Sequence, residues 1–311
     1  MTVTWVDDLF ILIIKVMIKK DFSRRDFIQK SVALGLGAAV LPYVPTLANP
    51  LKSGMKFGLV TYEWAKDWDL ATLIANCEKT GVLGVELRTQ HAHAVEANLS
   101  AAQRKEVKKR FAGSKVTCLG YGSNYEYHSA DPAKLKENID GTKEYIKLCH
   151  DIGATGIKVK PNGLPEGVPK EKTLAQIAAS FNEVGKFAQD YGQLIRVEVH
   201  GNQTQDIPNM KAIFDQVTEP NVKVCWNSNP EDLLAPGLEQ NFHTLEKWFG
   251  DTVHVREFNV GDYPYAELIK LFTKIKYDGW ILMEARTKPD DRVKALKEQL
   301  DIFNRLVAQS K

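Results

Sequence analysis

The chain has 311 residues, 44% of them hydrophobic and 26% charged, with 21 Gly and 13 Pro. That is the composition of a globular protein with room for a large core, and it excludes a disordered, collagen-like or multi-span membrane chain. The first 48 residues carry six basic and four acidic side chains, so the other 263 hold 35 of each, a balance that argues against a nucleic-acid binder.

Near the N-terminus, Ser23-Arg24-Arg25-Asp26-Phe27-Ile28 places paired arginines ahead of Lys30 and an apolar run from Val32 to Leu41, which Pro42 ends. Thr46-Leu47-Ala48 supplies small residues where a signal peptide is cut. Residues 1–48 are therefore expected to be a signal peptide of twin-arginine (Tat) type. Residues 49–311 would then be the mature domain, periplasmic or otherwise exported, with the Tat export machinery as a partner. The apolar run is about half the 20 residues needed to span a bilayer, so no stable membrane insertion is expected. Leu9–Ile14 is out of place in a signal n-region, and Met17-Ile18-Lys19-Lys20 reads as the natural start. Cys77, Cys118, Cys149 and Cys225 have no CxxC spacing and are expected to be buried free thiols.

Short β-rich runs then recur along the chain. They are Lys56–Tyr62, Gly84–Arg88, Val116–Gly120, Gly156–Lys160, Ile195–His200, Val222–Trp226, Val253–Phe258 and Trp280–Glu284, each bounded by Gly, Pro or Asn. Helical periodicity lies between them, most clearly over Asp131–Gly153. There Leu135, Ile139, Ile146, Cys149 and Ile152 form one stripe, Asp131-Pro132 starts a helix and Gly153 ends it. Leu174–Tyr191, Glu239–Phe249, Tyr265–Tyr277 and Asp291–Gln309 behave alike. Eight β-α units of this total length predict a single (β/α)8 TIM barrel. A doubly wound sheet would show a Gly-rich turn after its first strand, where this chain has Tyr62-Glu63-Trp64-Ala65.

The chemistry of such a barrel sits at the C-terminal ends of its strands. Alternation puts Glu198 with His200, Lys158 with Lys160, and His254 with Arg256 on common faces. A charged side chain on an apolar strand is expected to face the interior mouth. Glu198, Asn227, His254 and Glu284 come from four successive strands. Two carboxylates, an imidazole and a carboxamide oxygen are a ligand set for one divalent metal ion of the Mn, Co, Zn or Mg kind. Lys160, at a strand end, is a candidate to polarise a carbonyl or shuttle a proton. His91, His93, His200 and Arg256 are candidate substrate contacts, and Trp64, like Tyr62 and Trp226, is placed where an aromatic face could stack on a bound ring.

Over roughly residues 55–305 the pattern resembles the xylose isomerase-like superfamily of TIM barrels, often labelled sugar phosphate isomerase/epimerase. Val197-Glu198-Val199-His200-Gly201 is similar to the family's fifth-strand metal Glu segment. Val253-His254-Val255-Arg256 is similar to its seventh-strand segment with a metal His. Tyr277-Asp278-Gly279-Trp280-Ile281-Leu282-Met283-Glu284 is similar to its closing segment with a metal Glu. The family's sixth strand usually supplies a metal Asp and, three residues on, a substrate-contacting His; here those positions are Asn227 and Pro230, so a bound metal would be held with less charge. The resemblance implies that Glu198 and Glu284 form an acid/base pair.

The expected function is a sugar isomerase or epimerase that removes a proton next to the carbonyl of an unphosphorylated sugar or keto-sugar with help from a metal. The alternatives are a lyase that cleaves 3-keto-glycosides by β-elimination and a non-catalytic sugar-binding barrel. A DNA-repair endonuclease of the same superfamily would need more His and Asp ligands and a basic surface.

Overall fold

A computed structural model describes residues 54–311; the expected signal segment lies outside the described residues. Eight strands alternate with eight helices. They are β1 (Lys56–Val60), α1 (Leu70–Thr80), β2 (Gly84–Arg88), α2 (Ala101–Ala112), β3 (Thr117–Glu126), α3 (Pro132–Ile152), β4 (Gly156–Lys160), α4 (Lys170–Gln189), β5 (Leu194–Glu198), α5 (Ile207–Phe214), β6 (Val222–Cys225), α6 (Leu238–Leu245), β7 (Thr252–Val255), α7 (Tyr265–Lys274), β8 (Trp280–Met283) and α8 (Arg292–Gln309). The strands are parallel in the order β6-β5-β4-β3-β2-β1-β8-β7. Between β6 and β7 the closure rests on two isolated bridges, Val224 with Phe249 and Asn227 with His254. Gly250 N donates to Val224 O (2.9 Å) and His254 N to Trp226 O (2.8 Å) there. This is the expected single (β/α)8 barrel.

Local chemistry explains most of the boundaries. The Asp131 side chain accepts from Ala133 N (2.9 Å) at the start of α3, and Gly153 ends that helix with φ 82°, a left-handed conformation that favours glycine. The segment Glu239–Phe249 is one helix in the periodicity but two pieces in the fold, since α6 gives way to a 3-10 turn at Glu246–Trp248. β3 runs six residues beyond the expected Gly120, because its pairing with β4 resumes after a shift, with Glu126 opposite Lys160. Helices α1, α2 and α5 have weaker signatures: α2 buries only Val107 and Phe111.

The main core lies between sheet and helices, where Ile157, Val159, Ile195 and Val197 are fully buried. Inside the barrel, Val60, Leu119 and Leu282 form a small apolar cluster. The rest of the interior is charged. Arg196 is fully buried and fills the N-terminal end. Its guanidinium donates to both Asp251 carboxylate oxygens (2.8 and 2.7 Å), to Thr155 Oγ1 (2.8 Å) and to Leu119 O (2.8 Å). Gly120 makes room for it: a Cβ there would stand 2.3 Å from Arg196 Nη1 and 2.2 Å from Gly156 O. All four cysteines are buried and free. No helix among the described residues is long and apolar enough to cross a membrane.

Candidate functional site

At the opposite, C-terminal end the strands deliver a buried ionic cluster. Glu198 ends β5, His254 lies in β7 and Glu284 follows β8. One ligand atom from each lies within 4.8 Å of the other two, a grouping that could hold a metal ion. Asn227, just past β6, is 1% exposed and donates from Nδ2 to Glu198 Oε1 (3.1 Å). The four residues named from strand parity therefore do converge.

Two further side chains complete the cluster. Lys158 of β4 is fully buried and places Nζ 2.6 Å from Glu198 Oε2. Glu86 of β2, also fully buried, lies 3.3 Å from His254 Nε2, while His254 Nδ1 lies 3.4 Å from Glu198 Oε1. Burial alone would push the Glu198 carboxyl up, but the Lys158 ammonium and His254 hold it well below the usual carboxylate range. Glu86 is likewise held down against its burial, by His254 first and Lys158 next. Burial disfavours an imidazolium at His254, yet the Cys225 thiol, Glu86 and the Glu198 carboxylate outweigh it and raise its proton affinity.

Glu284 is held differently. Arg88 Nη1 and Arg256 Nη1 flank its oxygens at 3.7 and 3.6 Å, beyond hydrogen-bond distance. Its carboxylate is thus flanked by two cations and hydrogen-bonded to neither.

The donor set fits a divalent ion. Both ring nitrogens of His254 and the Oδ1 of Asn227 are buried without a hydrogen-bond partner, and a carboxylate behind a ligating imidazole, as Glu86 stands here, is the usual support of such a ligand. The obstacle is Lys158, whose ammonium already neutralises Glu198. Asn227→Asp is expected to tighten divalent-ion binding by adding a negative charge beside Glu198. Metal content after loading and dialysis checks this, and less than about one-tenth equivalent in wild type and variant alike would remove the metal from the reading.

The other candidates divide. His200 Nδ1 is 2.7 Å from Asn162 Oδ1, Asn162 also bonds Glu126, and His200 lines a cavity of about 570 Å3 at the mouth. Burial lowers its proton affinity. Asn162 holds a left-handed φ of 64°, a strained conformation for a side-chain-bearing residue of the kind found at functional sites. Lys160 is part-buried, and its pKa falls through burial first and the neighbouring Lys158 second. His91 meets Thr61 Oγ1 at 3.2 Å, and burial foremost brings it down to about 4.

His93 is spent on backbone, with Nε2 2.9 Å from Arg88 O and Nδ1 accepting from Val95 N at 3.1 Å. Trp64 is 3% exposed and donates to Thr287 O (3.0 Å), so it ties the β1 and β8 loops together and offers no open face to a sugar. Trp226 is fully buried against Phe242 and Phe249. Sequence reasoning turned Lys158 inward with Lys160 but gave it no role, and gave none to Glu86, Arg88 and Arg286. Inward parity places Lys158 and Glu86 in the barrel interior but not at the depth of Glu198.

The family model of the xylose isomerase-like TIM barrel matches residues 74–228. Among solved structures, the apo form of 3-keto-D-glucoside 4-epimerase from E. coli is 13% identical, with 81% of this chain and 99% of that one covered at a TM-score of 0.67. D-psicose 3-epimerase from Clostridium cellulolyticum H10, solved with D-tagatose, is 19% identical over 81% and 99%, TM-score 0.67. The IOLI protein with a bound zinc atom is 15% identical over 83% and 99%, TM-score 0.68. At these identities the likeness is one of fold. In its barrel, and over residues 74–228 in its sequence, the chain is similar to the xylose isomerase-like TIM barrels.

Proposed function

We propose that the protein is an isomerase or epimerase of sugars or keto-sugars that moves a proton at the carbon beside a carbonyl. The observation that carries this is the buried Glu198–His254–Glu284 cluster at the barrel mouth; the sugar epimerases that share the fold support it. A divalent ion held by Glu198, His254 and Glu284, with Asn227 beside them, would polarise the substrate oxygens and acidify the adjacent C–H.

The protein's own groups then have distinct tasks. Glu284, flanked but not hydrogen-bonded by Arg88 and Arg256, takes the proton. Glu198, fixed in its ionised state by Lys158, is the weaker base and serves as its partner across the site. Lys160 stands ready to donate to a developing enediolate oxygen, whereas His200, whose Nδ1–H is given to Asn162 Oδ1, offers an accepting Nε2. One such donor lowers the barrier by about 3–4 kcal/mol. Incubation in heavy water tests the reading. Deuterium is expected at the carbon beside the carbonyl of a turned-over ketose. Turnover without exchange would point to hydride transfer, and binding without turnover to a sugar-binding barrel.

A β-elimination of 3-keto-glycosides begins with the same proton abstraction. The cavity beside Glu284, about 570 Å3, has room for a glycoside, and release of the aglycone would identify it.

We further propose that residues 1–48 direct export through the Tat system. The paired arginines support this, and replacing Arg24 and Arg25 by Lys is expected to leave precursor in the cytoplasm. Unchanged export of that variant, followed by fractionation, would defeat it.

A further inference from the structure

The cavity of about 570 Å3 opens between the loops that follow β5, β6, β7 and β8. Two guanidinium groups line it, Arg256 and Arg286, together with His200, Ser228, Tyr263 and Thr287. Arg256 Nη1 is buried without a hydrogen-bond partner, its nearest carboxylate oxygen 3.6 Å away on Glu284. Arg286 is exposed and lines the same cavity. Two arginines drawn together with donors to spare form a site for an anion.

Of the acidic groups nearby, Glu284 faces Arg256 at 3.6 Å but leaves its Nη1 without a hydrogen bond, and the others do not pair with either guanidinium. Glu257 Oε1 is taken by the N–H groups of Arg286 (2.9 Å) and Thr287 (2.7 Å) and by Thr287 Oγ1 (2.6 Å). Asp262 lies at the exposed rim, where solvent and salt screen it.

We infer that the substrate is an acidic sugar, a uronate or keto-aldonate, whose carboxylate sits on Arg256 and Arg286. This rests on the proposed sugar chemistry at Glu284. A phosphate at the end of strands 7 and 8 of such a barrel is held largely by loop and helix N-terminal N–H groups. Here the N–H groups of Arg286 and Thr287 are bound to Glu257, and that of Arg256 donates to Tyr265 Oη (2.9 Å). What remains is a pair of planar forks, which match a planar carboxylate. The carboxylate also fixes orientation, since Arg256 lines the cavity and stands 3.6 Å from Glu284, which keeps the bound sugar within one side chain of the base.

Calorimetry with the purified full chain tests this with D-glucuronate, D-galacturonate, D-glucose and glucose 6-phosphate. At least one uronate is expected to bind about tenfold or more tighter than glucose, and Arg286→Gln to abolish most of that preference. Equal affinity for uronates and glucose, no uronate binding at millimolar concentration, or tighter binding of glucose 6-phosphate than of either uronate would each overturn the inference. So would a preference that survives in both Arg286→Gln and Arg256→Gln. The reaction is judged separately. Uronate preference without proton exchange would defeat the isomerase reading alone, and exchange on neutral ketoses without uronate preference would defeat this inference alone.

Discussion

Glu284→Gln should lower deuterium exchange into substrate by about 10²–10⁴-fold, the usual worth of a positioned general base. The substitution keeps the shape of the side chain and removes its ability to take a proton. It also leaves Arg88 and Arg256 without the carboxylate they flank at 3.7 and 3.6 Å, but both side chains keep partial exposure, 13% and 17%, and the Gln oxygen still faces them, which limits the cost to the fold. The expected signature is a kcat loss at a nearly unchanged melting temperature. Glu198→Gln should behave differently, because it strands the ammonium of Lys158 in the interior and so loses stability together with activity. If exchange runs at full rate in both variants, neither residue is the base.

The second large effect is expected at Lys158. Lys158→Met leaves Glu198 as a buried carboxylate without its counter-ion, a defect worth about 3–5 kcal/mol. The double variant Lys158→Met/Glu198→Gln removes both charges and should recover most of that loss, so denaturant titration of the cycle isolates the pair. The same single variant frees Glu198 Oε2 for a metal. Added Mn, Co or Zn should therefore raise its melting temperature more than that of the wild type. Equal metal response in the two proteins would show that Lys158 does not compete with a cation at Glu198.

The barrel was legible in the sequence because its signals are local and periodic. Strand alternation has a period of two, so parity grouped Glu198 with His200 and His254 with Arg256, their charge turned those faces inward, and Glu284 followed from its place at a strand end; the three meet in the interior. Depth was harder. Lys158 and Lys160 share one face, and which of them meets Glu198 depends on the stagger between strands, set by pairs such as Val159 with Val197. A single strand does not carry that information. Glu86 was missed for the same reason. Trp64 and His93 failed as substrate contacts because proximity to a strand end does not say whether a side chain turns towards the mouth or back into the loops. Arg286 lies beyond β8, where no periodicity marks it.

The two-bridge closure between β6 and β7 has a dynamic consequence. Every other neighbouring pair of strands is joined by a ladder of at least three paired residues, so local opening of the barrel should begin at this seam. The amides of Gly250 and His254, which span it, would then trade hydrogen with solvent sooner than those of β4 and β5. The ligand cavity straddles the same seam, with Ser228 and Asn229 on one side and Arg256 and Glu257 on the other. A sugar that touches both sides acts as a staple, so substrate binding and closure of the barrel become one equilibrium.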